Sequence, residues 1–258
     1  MIGLNLIDFC GLKLVDASKI DFAIYITSIL NRKSRNIVCF SLNGQSFSLY
    51  HSSQRFKELM DQADLIHADG MSIVKASRLI SGKRISERIA TTDWFHNLAK
   101  LTEGTELSHY FLGGSRETIK QAVKNIEQFY PRLTIKGYHH GYFSNPNEII
   151  ELLRKENPDI LWIGLGRPKQ EEIALILKKE TNIGFIKTCG GLFDFLSGKN
   201  KRAPLWMRDL GMEWLYRLFL EPKRLFIRYF ATNIHSMFLF LKYFLKRVFE
   251  SGKAKNGV

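Results

Sequence analysis

The sequence predicts an α/β fold, a mainly parallel sheet followed by a C-terminal helical appendage. Three observations predict it. Short apolar runs alternate with segments of helical periodicity, the pattern of buried strands joined by crossover helices. The 258 residues are 45% hydrophobic and 24% charged, which suits one large domain with its own core and excludes a disordered or collagen-like chain. The charge is uneven: residues 199–258 hold 13 Lys and Arg against 4 Asp and Glu, so they carry +9 of the net +13, together with 12 of the 32 aromatic residues. The division read from this is a nearly neutral body, 1–198, and a basic, aromatic appendage, 199–258.

Taken in order, residues 2–8 and 11–15 read as a small β pair ahead of a helix at 18–31. Ile37 to Leu42 is the first core strand, followed by a helix from Gln45 to Met60. Leu65 to His67 is a short strand running through Ala-Asp-Gly into a helix at 71–81, and another helix covers 93–101. His109 to Leu112 is a strand from which Gly113-Gly114-Ser115 opens a helix to Phe129. Leu133 to Gly137 is a strand. Asn145 is an N-cap with Pro146 at the first helical position, where its missing N–H costs nothing. Asp159 to Gly164 is a strand, Pro168 to Lys178 a helix and Ile183 to Lys187 the last strand.

In the appendage Pro204 starts a helix reaching Leu220 and Pro222 starts a second. Phe230, Ile234, Met237, Leu241, Phe244 and Val248, spaced four and three apart, form one apolar stripe. At 100° per residue Arg224, Arg228, His235, Lys242 and Lys246 share a neighbouring stripe. This pattern suits a helix lying in a lipid interface, or an amphipathic helix packed on its own domain or on a partner subunit. No run of about 20 apolar residues predicts a spanning helix, and no basic leader precedes an apolar core, so no signal peptide is expected; the scattered cysteines fit a reducing cytosolic setting. Cys10, Cys39 and Cys189 are isolated, with no spacing for a zinc site or a disulfide framework; Cys189 reads as a buried strand-end thiol.

The chemistry-bearing loops follow the strands, where open α/β sheets bind ligands. Gly113-Gly114-Ser115 is either a phosphate-cradling turn at a helix N-terminus or a plain tight turn. Gly164 to Glu171 repeats the arrangement without the full G-x-G-x-x-G spacing, so no NAD site is expected; Lys169 and Gln170 either bond a nucleotide or sugar or cap their helix. Asp69 is either a general base or the N-cap of the helix that follows. Arg88 and Asp93 form a second polar cluster. Gly190-Gly191, Arg217 and Arg224 supply glycines and guanidinium groups suited to a diphosphate, although Glu213 and Arg217 equally suit an i, i+4 surface pair. No clustered D-x-D is present, and neither metal nor cofactor is expected.

The ordered set Ser41-Leu42-Asn43, Ala68-Asp69-Gly70, Arg88 to Asp93, Phe111 to Gly114, Gly164 to Glu171, Gly190 to Phe195, Arg202-Ala203-Pro204 and Glu213 to Arg217 resembles the WecG/TagA/CpsF glycosyltransferases over residues 4–245. The resemblance implies a Rossmann-like body with a membrane-associating helical appendage. It implies transfer of a sugar, with inversion and without an obligatory metal, from a UDP-sugar to a polyprenyl-diphosphate-linked sugar in cell-surface polysaccharide or teichoic acid synthesis. N-acetylmannosamine, its uronic acid and other hexoses are the implied donors. By position Asp69 resembles the catalytic base, and Ser41 stands where threonine is usual. Asn43, Arg88, Asp93, Gly113, Gly114, Gln170, Gly190, Gly191, Arg217, Arg224 and Arg228 match substrate-contacting positions. Thr91 departs from the pattern by replacing a glycine of R-x-x-G-x-D. The implied setting is the inner face of the cell membrane, with an anionic lipid surface and a homo-oligomer as further partners and no nucleic acid. The competing reading is a basic peripheral membrane adaptor without catalysis, which explains the appendage but not the polar loops.

Overall fold

A computed structural model describes residues 4–255, apart from the side chains of residues 224, 225, 227, 228 and 251–255. The expected β pair is present as β1 (Asn5–Phe9) and β2 (Leu12–Asp16), joined by a turn at Cys10 and Gly11, both with positive φ. Residues 2 and 3, included in the expected first strand, lie outside the described residues. The other strands are β3 (Ile37–Leu42), β4 (Leu65–Ala68), β5 (Ser108–Gly113), β6 (Thr134–His139), β7 (Ile160–Gly164) and β8 (Phe185–Thr188). They form one sheet in the order β1-β2-β4-β3-β8-β7-β5-β6, parallel throughout except for the β1–β2 hairpin.

Strand side chains alternate between two cores, as the two-residue period requires. On β7, Leu161 and Ile163 face one layer while Ile160 and Trp162 face the other. The first layer is made by α2 (Gly44–Ser52), α3 (Gln54–Asp61), α4 (Met71–Ser81), α7 (Pro146–Glu156) and α8 (Lys169–Glu180). The second comprises α1 (Lys19–Asn31), α5 (Thr91–Thr102), α6 (Arg116–Phe129) and α9 (Leu192–Leu196), around Phe22, Trp94, Phe111 and Trp162. The result is a three-layer sandwich of the kind expected for parallel strands, which are covered on both faces.

Two expected helices are broken, each at a residue with a better local use. The helix expected over 45–60 divides at Ser53, whose extended backbone lets its hydroxyl cap α3 by accepting from Phe56 N. The helix expected from Pro204 to Leu220 divides into α10 (Leu205–Leu210) and α11 (Glu213–Leu220) at Gly211, whose φ of +80° ends α10 with a left-handed cap. The long helix from Pro222 is α12 (Pro222–Lys255).

α12 lies across α2 and α4. Leu239 is buried in the first core and Phe240 stacks on Phe47, with ring centroids 5.0 Å apart. Ser236 Oγ donates to Gly44 O at 2.6 Å, and His235 Nδ1 is 2.8 Å from Ser48 Oγ. His235, read from sequence as part of the basic stripe, therefore faces the body. The predicted apolar stripe lies on another face and is bare: Phe230, Ile234, Met237, Leu241, Phe244 and Val248 are all exposed. Among the described residues no helix is long and apolar enough to cross a membrane.

Candidate active site

A cleft of about 1060 Å3 opens at the carboxyl ends of β3, β4, β5, β7 and β8, with α11 and α12 forming its far wall. The parallel topology aims these strand ends at one edge, and the chain passes from β3 outward to β4 and then crosses to β5 in the other half of the sheet, a reversal of the kind that opens a crevice in α/β sheets. Ser41, Asn43, Asp69, Arg88, Gly114, Gln170, Gly190, Gly191 and Arg217, read from sequence as site residues, all line it. Gly113 and Asp93 do not line it, and the side chains of Arg224 and Arg228 lie outside the described residues.

Asp69 follows β4, and its backbone N–H donates to Leu42 O at 2.8 Å, which hooks it to the end of β3. The N-cap of α4 is Gly70 and makes no side-chain cap. Asp69 instead crosses to α5, where its Oδ1 accepts from Thr91 N at 2.8 Å. One oxygen is thus anchored and the carboxylate keeps its orientation toward the cleft. Burial pushes its pKa up; His67, the Thr91 N–H, Arg88 and Lys187 act against this and prevail, holding Asp69 below the usual carboxylate range. It is anionic at neutral pH. Thr91, standing where the motif has glycine, has no positive φ, and it holds Asp69 through a backbone N–H that any residue but proline supplies.

Ser41 is the penultimate residue of β3, and Asn43 precedes α2 as its N-cap: Asn43 Oδ1 accepts from Ser46 N while Ser46 Oγ accepts from Asn43 N, a reciprocal capping box. Gly113 has a φ of +147°, and a Cβ there would meet Gly164 O at 2.3 Å, so the glycine lets β5 and β7 end in close register beside the cleft. Ser115 caps α6 by accepting from Thr118 N. Gln170 is 1% exposed; its Oε1 accepts from Gly190 N at 3.1 Å and its Nε2 donates to Glu171 Oε1 at 2.8 Å. Both ends of this amide are engaged within the protein.

The far wall is anchored by an ion network. Arg202 joins Asp93 (3.0 Å) and Glu213 (2.8 Å), Arg208 joins Asp93 (3.2 Å), and Arg88 lies 3.4 Å from Glu213. Glu213 is therefore committed to Arg88 and Arg202, and the alternative i, i+4 pair with Arg217 does not form among the described residues. Arg217 instead lies over the Phe195 ring at 5.4 Å and pairs with no carboxylate among the described residues. Its Nη2 comes within 3.3 Å of where a Cβ on Gly191 would stand, so this glycine makes room for the guanidinium. Cys189 is buried and burial pushes its thiol up, which removes it as a nucleophile at neutral pH.

Sequence reading missed Arg167, Lys187 and the α12 residues Tyr229, Asn233, Met237 and Phe240, which line or support the cleft. Lys187 is fully buried with Nζ donating to Thr188 O at 2.7 Å, and burial pulls its pKa down. A lysine inside an apolar strand was its available signal. For Gln170 the signal was helical spacing: Ile173, Ala174 and Leu177, at three, four and seven residues on, are all buried.

The profile of the Glycosyl transferase WecG/TagA/CpsF family matches residues 7–249. A Bacillus subtilis (strain 168) protein named N-acetylglucosaminyldiphosphoundecaprenol N-acetyl-beta-D-mannosaminyltransferase is 34% identical over 171 residues, 65% of this chain. The match spans 65% of that relative, just under two thirds of its length. A Staphylococcus aureus (strain NCTC 8325 / PS 47) protein of the same name is 28% identical over 200 residues, 77% of this chain and 78% of the relative. The match runs from the β1–β2 hairpin through nearly all of α12 and takes in every strand-end loop that builds the cleft: the chain belongs to the WecG/TagA/CpsF family of glycosyl transferases.

Proposed function

We propose that the chain transfers N-acetylmannosamine or a related hexose from a UDP-sugar to an undecaprenyl-diphosphate-linked sugar, in the synthesis of a cell-surface polymer. The observation that carries this reading is the placing, in one cleft, of the anchored Asp69 carboxylate and the Arg217 guanidinium, which pairs with no carboxylate among the described residues. The names of the two relatives supply the acceptor class and the sugar.

In the proposed reaction the acceptor hydroxyl attacks the anomeric carbon from the face opposite the nucleotide. Its proton passes to Asp69, whose depressed pKa keeps it free to accept. The bond from the anomeric carbon to the diphosphate oxygen breaks, and UDP departs with the electron pair. Arg217 stabilises the charge gathering on that oxygen, and Arg224 and Arg228 follow it in the same appendage. Ser41 and Asn43 bind the sugar nucleotide at the end of β3; Arg88, Gly114, Gly190 and Gly191 complete its surroundings. Configuration inverts in this single displacement.

The body of 1–198 would then hold the reacting atoms while the appendage of 199–258 delivers them to lipid. The bare aromatic face of α12, with Trp206 of α10 and Phe219 of α11 also exposed, supports docking on the inner face of the cell membrane, with Lys242 and Lys246 adding attraction to anionic lipid. The test is direct: incubate the protein with UDP-sugars and a short-chain prenyl-diphosphate-GlcNAc. Sugar addition with release of UDP is expected; a chain that sediments with liposomes yet transfers nothing is the peripheral adaptor instead.

A further inference from the structure

We propose that Arg167 is a positioning residue, which fixes the Ser41 hydroxyl as a hydrogen-bond donor to an oxygen of the bound sugar nucleotide; the inference rests on the glycosyl-transfer reading above. Arg167 stands on the turn between β7 and α8 and lines the cleft. Its Nη2 donates twice to one residue, to Ser41 O at 2.7 Å and to Ser41 Oγ at 3.1 Å.

A serine hydroxyl has one proton and two lone pairs, whereas a guanidinium only donates. With Nη2 on one lone pair, the Ser41 proton cannot point back at Arg167. Ser41 is 6% exposed, and its hydroxyl donates to no protein group among the described residues. The side on which Ser41 meets open space is the cleft. The second bond from Nη2 therefore turns a rotatable hydroxyl into a directed donor, set before substrate arrives. Such preorganisation is what an electrostatic contact to a developing or bound oxygen charge requires.

Arg167 is itself held from behind. Its Nε lies 3.2 Å from Oε1 of Glu171, which is fully buried. That oxygen accepts from Gln170 Nε2, and Gln170 Oε1 accepts from Gly190 N. One polar chain thus runs from the end of β3 through the β7–α8 turn to the β8–α9 turn. Glu171 supplies the opposite charge that lets a guanidinium sit in a wall where its side chain is only 10% exposed. Gln170, engaged at both ends, takes part by holding this chain together.

The experiment is a double-mutant cycle on full-length protein, reading kcat and KM for sugar transfer separately. The variants are Ser41→Ala, Arg167→Lys, the charge-balanced pair Arg167→Met with Glu171→Gln, and each of these Arg167 changes combined with Ser41→Ala. We expect the paired change to lower kcat/KM about tenfold with Ser41 present, the worth of about one directed hydrogen bond, and to do almost nothing once Ser41 is alanine. Arg167→Lys, which keeps a cation opposite Glu171 and a donor for Oγ, should recover part of the loss; it also carries the cycle should the paired variant not fold. Equal losses in both Ser41 backgrounds would make Arg167 a loop tie through the Ser41 carbonyl and overturn the proposal. A harmless Ser41→Ala would overturn it too. Wild-type protein that transfers no sugar would overturn the glycosyl-transfer reading and the proposal with it.

Discussion

The two walls of the cleft are built on opposite principles. The sheet-edge wall fixes each group from inside the fold: Asp69 by the Thr91 and Leu42 backbones, Asn43 by its capping box, Gln170 by Gly190 and Glu171. The appendage wall rests on a few hydrogen bonds, an ion network and one docked face of α12, and leaves an equally apolar face uncovered. A wall that must align reacting atoms gains from burial, which locks rotamers and excludes water. If, as proposed, the appendage wall meets a lipid-linked acceptor, an uncovered apolar face serves that contact.

This contrast is sharpest in changes to single charges. Asp69→Asn removes the proposed base but keeps an oxygen for Thr91 N, so nucleotide binding should persist while turnover falls by roughly 10²–10⁴; retained turnover would take the proposed base role from Asp69. On the appendage side Arg217→Ala should lower transfer by about 10²–10³, as loss of a key charge-stabilising donor does, and a mild effect would leave it as a cation resting on Phe195. Arg217→Ala should leave the melting temperature nearly unchanged, whereas Asp69→Asn, which removes the buried charge facing Arg88 and Lys187, should lower it.

Docking gives the next largest effect. Leu239→Ala opens a cavity where α12 enters the core, at a cost of about 2–4 kcal/mol. Limited proteolysis should then cut between α11 and α12 before the body is attacked; uniform unfolding would show that appendage and body form one cooperative unit.

Acid should loosen the same contact. His51 lies beneath α12 beside Tyr243, and burial, with His235, Lys242 and Lys57 nearby, lowers its pKa from 6.5 to about 4. For a base depressed in the folded state, the unfolded chain binds the proton first. Stability is therefore full above about pH 6.5 and falls between there and about 4. His51→Gln should flatten that slope in thermal unfolding followed across this range. The smallest change expected is in liposome sedimentation: Phe230→Ser and Met237→Ser, on the bare face, should each weaken it by a few fold at most.

Much of this was legible in the chain. Every strand was found within a few residues; for the central strands β3, β5 and β7 the signal is the near-continuous apolar run of a buried parallel strand between turn residues. The cleft was legible as loops following strands; Asp69 and Arg217 were singled out by type and position, and Ser41 only by the family resemblance. What failed did so for local and tertiary reasons. Ser53 and Gly211 broke two helices whose apolar period runs across the break. Gln170 reads as a contact because it is polar in a glycine-rich loop; it does line the cleft, and its amide also bonds Gly190 and Glu171, which spacing does not reveal. Glu213 and Arg217 have ideal helical spacing, but Arg88 and Arg202, far away in sequence, claim the glutamate.

By itself, then, the sequence determined the layers, the strand edge that carries chemistry, and a basic, aromatic appendage separate in character from the body. These follow from periodicity and composition, which act over neighbouring residues. Only the tertiary structure decided which alternative each polar group took: Asp69 bound to the start of α5, His235 to the body, Arg167 to Ser41. Those choices pair residues 22, 187 and 126 positions apart. A buried polar group must find a partner somewhere, and which one it finds depends on how strands and helices pack, a matter that spacing along the chain does not encode.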